Sequence, residues 1–292
     1  MHRSTVHREL ARGRDPDGLY HAPRADERAR ARARSSAANH PTKPAALWRW
    51  VAQRIAERAS PDQVVGRLAH VCPSFSVSVP AIYAFVRREE RGGGELHSCL
   101  RYAHKRALSR RGCSGGMPKN RPSIRHRPKH IQLRKEPGHW EADTVLGNHS
   151  HPSRLLTVVE RTSRYTRLGL LPNGTALPTS AALKKILRGY LVRSITFDNG
   201  VEFAYYASAC AALGAAAYFA EPSRPWQRGT NENTNGLIRQ YIPKYRSMAK
   251  LTVAQLRLVE HELNHRPRRC LGYLTPHEVH FSLRPTPVAL RT

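Results

Sequence analysis

The sequence predicts an α/β protein in which a mixed sheet flanked by helices is preceded by an all-α region. Three observations lead to this fold class. Segments before residue 91 repeat apolar residues with a helical period, and segments after residue 136 alternate between strand-like and helix-like patterns in the order βββαβαβα. Between them, residues 101–135 contain twelve Lys and Arg and no Asp or Glu, which is typical of an exposed basic connection.

The net charge of the chain favours nucleic acid as its partner. The 292 residues include 49 Lys and Arg against 21 Asp and Glu, so the net charge is +28 at pH 7. Such a field attracts polyanions, whose phosphates release counterions on binding. A membrane-surface protein would need a basic amphipathic helix with bulky apolar anchors, and a membrane-spanning one a long apolar run. The sequence has neither, so we expect no membrane partner.

The cysteines and the N-terminus predict a cytoplasmic protein. Five scattered cysteines, odd in number and without C-x-x-C spacing, indicate reduced thiols rather than a disulfide framework. They are Cys72, Cys99, Cys113, Cys210 and Cys270. The first residues, "MHRSTVHREL", are polar and lack the apolar core of a secretion signal.

Residues 1–35 are predicted to hold one short helix and a basic segment. In "STVHRELARG", Ser4 would cap the helix and Gly13 would end it. No earlier helix precedes this one, so if it is a recognition helix, its helix-turn-helix module is incomplete in this chain. The following "ERARARARSS" is expected to be a solvated basic helix or coil.

Residues 45–90 are predicted to form three short helices. "LWRWVAQRIAERA" has a helical apolar period, "SPDQVVGRLAH" offers Ser60 as N-cap and Pro61 at the first helical position, and "SVSVPAIYAFVRRE" ends in arginines. Short helices with tight turns suit a second helix-turn-helix module, in which residues 79–88 would enter a DNA groove with Arg87 and Arg88 contacting DNA. A three-helix core without DNA contacts is the alternative.

Residues 91–136 are predicted to be a basic linker. Gly and Pro interrupt its basic run, "RRGCSGGMPKNRPSIRHRPKH", which favours an extended connection. Because the linker would join two DNA-facing parts, we expect it to follow phosphates, with Arg125 and Arg127 among its contacts. A merely solvated tether is the alternative.

Residues 137–282 are predicted to form the layered α/β domain, followed by a tail at 283–292. "WEADTVL", "RLLTVVER", "RYTRLGLL", "RSITFDNG" and "AAAYFA" read as strands. Thr179 would start a helix after the third strand, and "EFAYYASACAALG" would be a helix stopped by Gly214. The last two helices would be "RGTNENTNGLIRQ" and "TVAQLRLVEHELNHR".

Three acids are candidates for chemistry in this domain. Asp143 lies inside the first strand, Asp198 at the end of the fourth strand, and Glu232 at the start of the helix that follows the fifth. If the sheet gathers them, they are natural ligands for Mg²⁺, and two such ions about 4 Å apart can support in-line phosphoryl displacement. Singly, Asp198 could be a turn former and Glu232 a helix-start acid, but acids are disfavoured within strands, so Asp143 is harder to explain.

A helical wheel refines the position of Glu232. At 100° per residue, Asn235 and Arg239 fall within about 60° of Glu232, and Leu237 and Tyr241 fall on the opposite side. The helix is therefore predicted to bury an apolar face and to present Glu232 together with Arg239, whose cation could meet a DNA phosphate.

Several motifs, taken together and in order, resemble the integrase-type DDE transposases of bacterial insertion sequences, most closely the insertion sequence thirty family. They are "GHWEADTVLG", "LLTVVERTSRYT", "TFDNGVEFA", "YFAEPSRPWQRGTNENTNGLIRQYIPK" and "LNHRPRRCLGYLTPHEV". The resemblance is dense over residues 137–280 and looser over the helical region before them. There it implies two DNA-binding modules, of which the first would be a remnant within residues 1–35 that is truncated at its N-terminus. It implies an RNase H-like core in which Asp143, Asp198 and Glu232 are catalytic and hold two Mg²⁺ ions, for which Mn²⁺ would substitute.

The resemblance also implies the partners. These would be the terminal inverted repeats and target DNA, with at least a homodimer because two DNA ends are joined, and Arg239 would contact the element end. The expected DNA contacts are Arg87, Arg88, Arg125, Arg127, Arg228, Asn235, Arg239 and Lys244.

Three features depart from the family pattern. Met1 falls just before the first recognition segment, Tyr206 stands where a His is expected, and Ala142 replaces a usual Gly. The leading hypothesis is a transposase that cleaves element ends and transfers strands by 3′-hydroxyl attack. The alternatives are a truncated, inactive DNA-binding derivative or regulator, and a nuclease of the same fold that cuts without joining.

Overall fold

A computed structural model describes residues 2–39, 43–101, 121–147, 151–222 and 224–285. The chain divides into two compact units between Trp48 and Arg49, and each unit is described by itself. No helix in the described ranges is both long enough and apolar enough to cross a bilayer.

The first unit contains two helices, α1 (Arg3–Gly13) and α2 (Ala22–Asn39). The cap of α1 differs from the prediction, because His2 rather than Ser4 is the N-cap and its ring nitrogen accepts the Ser4 N–H. Gly13 ends α1 as expected. It is buried, and a Cβ atom there would lie 2.5 Å from the Tyr20 ring, so the turn between the helices packs closely on this residue.

Three helices follow, as predicted: α3 (Ala45–Ala56), α4 (Pro61–Val71) and α5 (Val79–Arg91). Ser60 caps α4 as expected, and Gln63 completes a reciprocal capping box. Within α5, Ile82 and Val86 are buried, which leaves Arg87 and Arg88 on its exposed side.

Helix α4 packs against the C-terminal segment of the second unit. The Arg67 guanidinium donates two hydrogen bonds to the Glu278 carboxylate, one of them over 2.8 Å. Beside this pair, Gly66 lies flat against the Tyr273 ring, where an added Cβ atom would come within 2.1 Å of a ring carbon. Both contacts join parts of the sequence that are about two hundred residues apart.

The sheet has five strands in the order β3-β2-β1-β4-β5. They are β1 (His139–Leu146), β2 (Arg154–Glu160), β3 (Thr166–Leu171), β4 (Ser194–Phe197) and β5 (Ala216–Phe219). The β1–β2 and β2–β3 pairs are antiparallel, whereas β1–β4 and β4–β5 are parallel. This mixed sheet with flanking helices is the RNase H-like fold class that was predicted.

Helices cover both faces of the sheet. Trp140 and Ala142 of β1 pack into one apolar cluster with helix α7 (Ala176–Leu187) and helix α8 (Tyr206–Leu213). On the other face, Val145 packs with helix α9 (Gly229–Tyr241) and helix α10 (Val253–His265). Because side chains alternate along a strand, Glu141 and Asp143 lie on the face that α9 covers.

Two helix starts differ from the sequence prediction. Thr175, not Thr179, is the N-cap of α7, so that helix begins earlier and buries Thr179 inside it. The segment after β4 forms a 3₁₀ turn over Val201–Phe203 before α8 begins, because the buried carboxylate of Glu202 accepts hydrogen bonds from Thr144 and Arg154. Gly214 ends α8 in the left-handed conformation, at φ 63°, as expected.

The last part of the predicted basic linker lies against the sheet. Phe219 of the edge strand β5 donates its N–H to the Pro122 carbonyl over 2.8 Å, and Ser123 forms a parallel bridge with Phe219. Helix α6 (Lys129–Gln132) follows. Another short helix, α11 (Pro276–His280), lies near the C-terminus and was not predicted. Residues 102–120 of the linker are outside the described residues.

Candidate active site

Two of the three predicted acids lie side by side on neighbouring parallel strands, one inside β1 and one just after the end of β4. Glu141 of β1 pairs in register with Thr196 of β4. Asp143 lies two residues beyond Glu141, and Asp198 two residues beyond Thr196, directly after β4 ends. The parallel register therefore places both acids side by side on adjacent inner strands of the sheet.

Arg228 joins the two aspartates. Its Nη1 lies 3.2 Å from Oδ2 of Asp143, and its Nη2 lies 3.6 Å from Oδ2 of Asp198. Burial and the neighbouring Asp143 charge raise the pKa of Asp198, although Arg228 opposes this shift. The Arg228 side chain is only 18% exposed. A mostly buried cation therefore lies between two carboxylates that repel each other.

Further hydrogen bonds fix the orientation of each aspartate. The amide of Asn235 on α9 donates to Oδ2 of Asp143 over 2.9 Å, while the Thr157 hydroxyl of β2 donates to Oδ1 of Asn235 over 3.2 Å. On the other strand, the Gly200 N–H donates to Oδ1 of Asp198 over 2.9 Å. These bonds hold both carboxylates in defined positions beside each other.

Glu232 lies apart from this pair. It is exposed in the first part of α9, and its carboxylate has no hydrogen-bond or ion-pair partner among the residues that the structure describes. The helical wheel is confirmed, because Leu237 and Ile238 are buried while Glu232 faces solvent. The structure thus brings Asp143 and Asp198 together but does not bring Glu232 into contact with them.

The donor set fits a divalent cation at the aspartate pair. Carboxylate oxygens are the ligands that Mg²⁺ prefers, and the place between Asp143 and Asp198 already accommodates the positive charge of Arg228. Within the described ranges, two other groups have all their ligand atoms within 4.8 Å of one another. They are His130, Glu136 and His139, and Asp15, Asp17 and His21. The three predicted acids do not form such a group.

The predicted DNA contacts differ in exposure. Lys244, Arg87 and Arg88 are exposed. The Arg239 guanidinium donates to the Leu146 carbonyl over 2.6 Å, and burial lowers its pKa. As described above, Arg228 and Asn235 are engaged with the aspartates.

The two predicted linker contacts, Arg125 and Arg127, differ from each other. Arg125 is largely exposed but forms an ion pair with Glu221. The prediction that Arg127 contacts DNA from the surface is corrected, because Arg127 is only 7% exposed. Its guanidinium donates a hydrogen bond to the Thr196 hydroxyl in the interior over 3.1 Å. Burial lowers the pKa of Arg127 to about 10.

A buried network behind the aspartates was missed by sequence reasoning. Glu141 is fully buried and accepts a hydrogen bond from Arg161 Nε over 3.0 Å and from the Asn231 backbone N–H over 3.1 Å. Arg161 in turn donates to the Ile131 carbonyl of α6. The sequence held one signal, since Glu141 is two residues before Asp143 and a strand directs both side chains to one face.

Glu202 is the second acid near the site that was missed. It is 6% exposed, and its carboxylate accepts hydrogen bonds from Thr144, the residue after Asp143, and from Arg154. The Glu202 carboxylate also lies against the loop that follows Asp198. A Cβ atom added to Gly200 would lie 2.4 Å from one of its oxygens. Its position within "TFDNGVEFA", four residues after Asp198, was the available signal.

No family model matches the chain. It is 35% identical over 283 residues to "Transposase for insertion sequence element IS4351" of Bacteroides fragilis, covering 94% of this chain and 85% of the relative. It is also 35% identical over 291 residues to "Transposase InsI for insertion sequence element IS30A" of Escherichia coli (strain K12), covering 94% of this chain and 75% of the relative.

Among solved structures, the chain is similar to the catalytic core domain of BIV integrase. The sequence identity is 23%, the alignment covers 50% of this chain and 94% of that chain, and the TM-score is 0.41.

Proposed function

Because the chain belongs to the family of insertion-sequence transposases that includes those of IS30 and IS4351, we propose that it cleaves the ends of its element and transfers the freed strands to target DNA. Its function is DNA transposition, and the proposal concerns the reaction and the residues that perform it. Water would attack the phosphodiester at an element end and leave a 3′-hydroxyl. That hydroxyl would then attack a phosphodiester of the target, without a covalent protein intermediate.

Asp143 and Asp198 are proposed to hold the catalytic metal, with Glu232 as the third acid. The observation that carries this proposal is the shared position of the two aspartates, side by side on neighbouring parallel strands, around one positive charge. We propose two Mg²⁺ ions, for which Mn²⁺ would substitute. Such ions, when bound, supply Lewis-acid stabilisation of the attacking and leaving oxygens in phosphoryl transfer.

The residues around the acids are proposed to position them and the DNA. Asn235 keeps the Asp143 carboxylate oriented through its 2.9 Å hydrogen bond, and Arg228 balances the charge of both aspartates. Arg239, two helical turns after Glu232 on the same side of α9, would meet the element end together with Lys244. Catalysis of this kind depends mainly on positioning and charge stabilisation.

The helical region would recognise the terminal inverted repeats. Arg87 and Arg88 lie on the exposed side of α5, where they are free to approach a groove or a phosphate. We propose that at least two copies act together, because two element ends must be joined, and that the protein acts in the cytoplasm, since its substrate is DNA.

The decisive experiment replaces one aspartate and follows binding and chemistry separately. Asp198→Asn is expected to abolish cleavage and strand transfer with either Mg²⁺ or Mn²⁺ while it leaves binding to the element ends intact. Asp26→Asn, at an exposed aspartate of α2, is the matched control and should retain both steps. Full cleavage by Asp198→Asn would refute the assignment, and cutting without joining by the unsubstituted chain would indicate a nuclease.

Glu232 is tested in the same assay. Glu232→Gln keeps the size of the side chain and removes its charge, so we expect loss of cleavage without loss of folding stability, because no partner in the described part of the chain depends on it. Retention of cleavage by this variant would remove Glu232 from the site but leave the two aspartates in it.

A further inference from the structure

A cavity of about 320 Å³ lies beside the first turns of α9. Its lining includes three arginines from separate parts of the second unit, together with polar residues of α9 and an exposed cysteine. The residues that carry the argument are Arg134, Arg164, Arg268, Thr230, Asn233 and Cys270. We call this the arginine cavity.

The arginine cavity is on a different side of α9 from the acids. At 100° per residue, Thr230 is about 160° and Asn233 about 100° from Glu232 around the helix. Asn235, which contacts Asp143, falls on the Glu232 side. The cavity is therefore distinct from the aspartate site, although one helix contributes to both.

The three arginines of the cavity lack acidic partners. Within the described ranges, no carboxylate lies within 4.0 Å of the guanidinium of Arg134, Arg164 or Arg268, in contrast to Arg161, which is paired with Glu141. Arg164 donates to the Thr230 hydroxyl over 2.9 Å, a neutral partner. Three positive charges thus line one cavity without a carboxylate in ion-pair contact, and the buried carboxylate of Glu141 is the opposing charge that acts on Arg134.

Burial makes this grouping of positive charges energetically unfavourable. Arg268 is 6% exposed, and its Nε has no hydrogen-bond partner in the described part of the chain; the same is true of Nε of Arg164. Burial, together with the nearby Arg266, lowers the pKa of Arg268 to about 9, and burial and Arg164 lower the pKa of Arg134. Unbalanced buried charges with unused donors are destabilising unless an anion completes them.

The backbone adds to the attraction for an anion. The cavity borders Gly229 and Thr230, the first two residues of the 13-residue helix α9. The dipole of a helix N-terminus favours negative charge, and here it acts beside three guanidiniums, which match the geometry of phosphate oxygens.

We propose that the arginine cavity binds a backbone phosphate of DNA away from the scissile bond. The identity of the ligand rests on the proposed function. A protein of net charge +28 that acts on DNA attracts the phosphodiester backbone, so a DNA phosphate is the anion that this cavity would bind. The phosphate held here would fix one strand on the far side of α9 while another phosphodiester lies at the aspartates. The cavity is thus a positioning site for DNA that is separate from the chemistry.

The first test measures binding of a DNA duplex by the full chain in EDTA, by fluorescence anisotropy over a range of salt concentrations. Arg134→Gln removes one charge, and we expect weaker binding and a salt slope reduced by about 0.9. Arg134→Lys should keep the slope, because it keeps the charge. Arg188→Gln, at an exposed arginine outside the cavity, removes the same net charge and should leave the slope near that of the unsubstituted chain. Equal losses for Arg134→Gln and Arg188→Gln would overturn the proposal.

The second test locates the bound DNA through Cys270. Replacing Cys99 and Cys113 with serine leaves Cys270 as the exposed thiol, since Cys72 and Cys210 are buried. Saturating DNA is expected to slow the reaction of Cys270 with a thiol reagent at least tenfold, and an unchanged rate would overturn the proposal. Protection by inorganic phosphate but not by DNA would assign the cavity to a free phosphate and would overturn the DNA assignment. Neither test depends on cleavage, so a failure of the aspartate mechanism would not affect the outcome.

Discussion

Asn231 donates its backbone N–H to the buried carboxylate of Glu141 over 3.1 Å, and this bond ties the first turn of α9 to the central strand β1. The same carboxylate accepts a hydrogen bond from Arg161, which is also buried. Glu141 therefore fixes the distance between the strand that carries Asp143 and the helix that carries Glu232.

Glu141→Ala is expected to destabilise the protein by about 3–5 kcal/mol, because it leaves the buried guanidinium of Arg161 without its partner. Glu141→Gln should lose less stability than Glu141→Ala, since the oxygen of the glutamine amide can still accept the hydrogen bond from the Asn231 N–H. The measurement is urea unfolding at neutral pH. Glu90→Ala, at an exposed glutamate of α5, is the control and should change stability by less than about 0.5 kcal/mol. A Glu141→Ala variant as stable as this control would contradict the role given to the buried pair.

Gly66→Ala is expected to loosen the contact between α4 and the C-terminal segment, because the new methyl group would overlap the Tyr273 ring. Alanine is favoured over glycine in a helix by about 1 kcal/mol, but overpacking costs about 1–3 kcal/mol, so the net effect should be destabilising. Thermal unfolding would measure it. The double variant Gly66→Ala with Tyr273→Ala removes the overlap, so its loss of stability should be smaller than the sum of the losses of the two single variants. Additive losses would argue against a direct clash.

The Arg67–Glu278 pair predicts a dependence of stability on pH. Burial alone would raise the pKa of Glu278, but hydrogen bonds from Arg67 and the Thr275 backbone outweigh it and hold the pKa below its usual value. A lowered pKa in the folded state means that the stabilisation is complete above the ordinary pKa of a glutamate, about 4.3, and is lost as the pH falls through the lowered value.

Removing the arginine should therefore flatten the acid side of the stability profile. We expect Arg67→Gln to be less stable than the unsubstituted chain at pH 7 and to lose less further stability between about pH 5 and pH 3. Urea unfolding across this range would measure both values. Parallel profiles for the two proteins would show that Arg67 does not set the pKa of Glu278.

Arg228→Gln is expected to strengthen binding of a divalent cation to the metal-free protein. The guanidinium occupies the position between Asp143 and Asp198, so it competes with a metal for the same oxygens. Calorimetric titration with Mn²⁺ should show binding that is tighter by about tenfold, or about 1.4 kcal/mol. Arg239→Gln removes an arginine that bonds to a backbone carbonyl instead and should have a smaller effect. Weaker binding by Arg228→Gln would mean that this arginine helps to assemble the site.

The sequence predicted the fold well where local signals were strong. Ser60 followed by Pro61 marked the start of α4, and Gly214 marked the end of α8, because capping and left-handed turns depend on a few neighbouring residues. The start of α7 was misplaced since Thr175 and Thr179 are both good caps, and only the packing of Thr179 into the interior distinguishes them.

The site was predictable only in part, because its contacts are long-range. Asp143 was identified as an acid inside a strand, but its partners Asn235 and Arg228 lie more than eighty residues later in the chain. Arg127 was wrongly expected at the surface, since a basic composition does not reveal which arginine turns inward. Glu141 was missed because the need to neutralise Arg161 becomes visible only when the strands are paired.

The segment before α6 lies beside the end of the edge strand β5. Strand β5 ends the sheet, and an unpaired edge strand can recruit strands from other molecules and lead to aggregation. Pro122 accepts the Phe219 N–H, and the Arg121 guanidinium lies 4.7 Å from the centre of the Phe219 ring. A proline that cannot donate a hydrogen bond and an arginine that carries charge thus cover the end of this edge. These residues therefore occupy the position beside the end of β5 that a strand of another molecule would need for pairing.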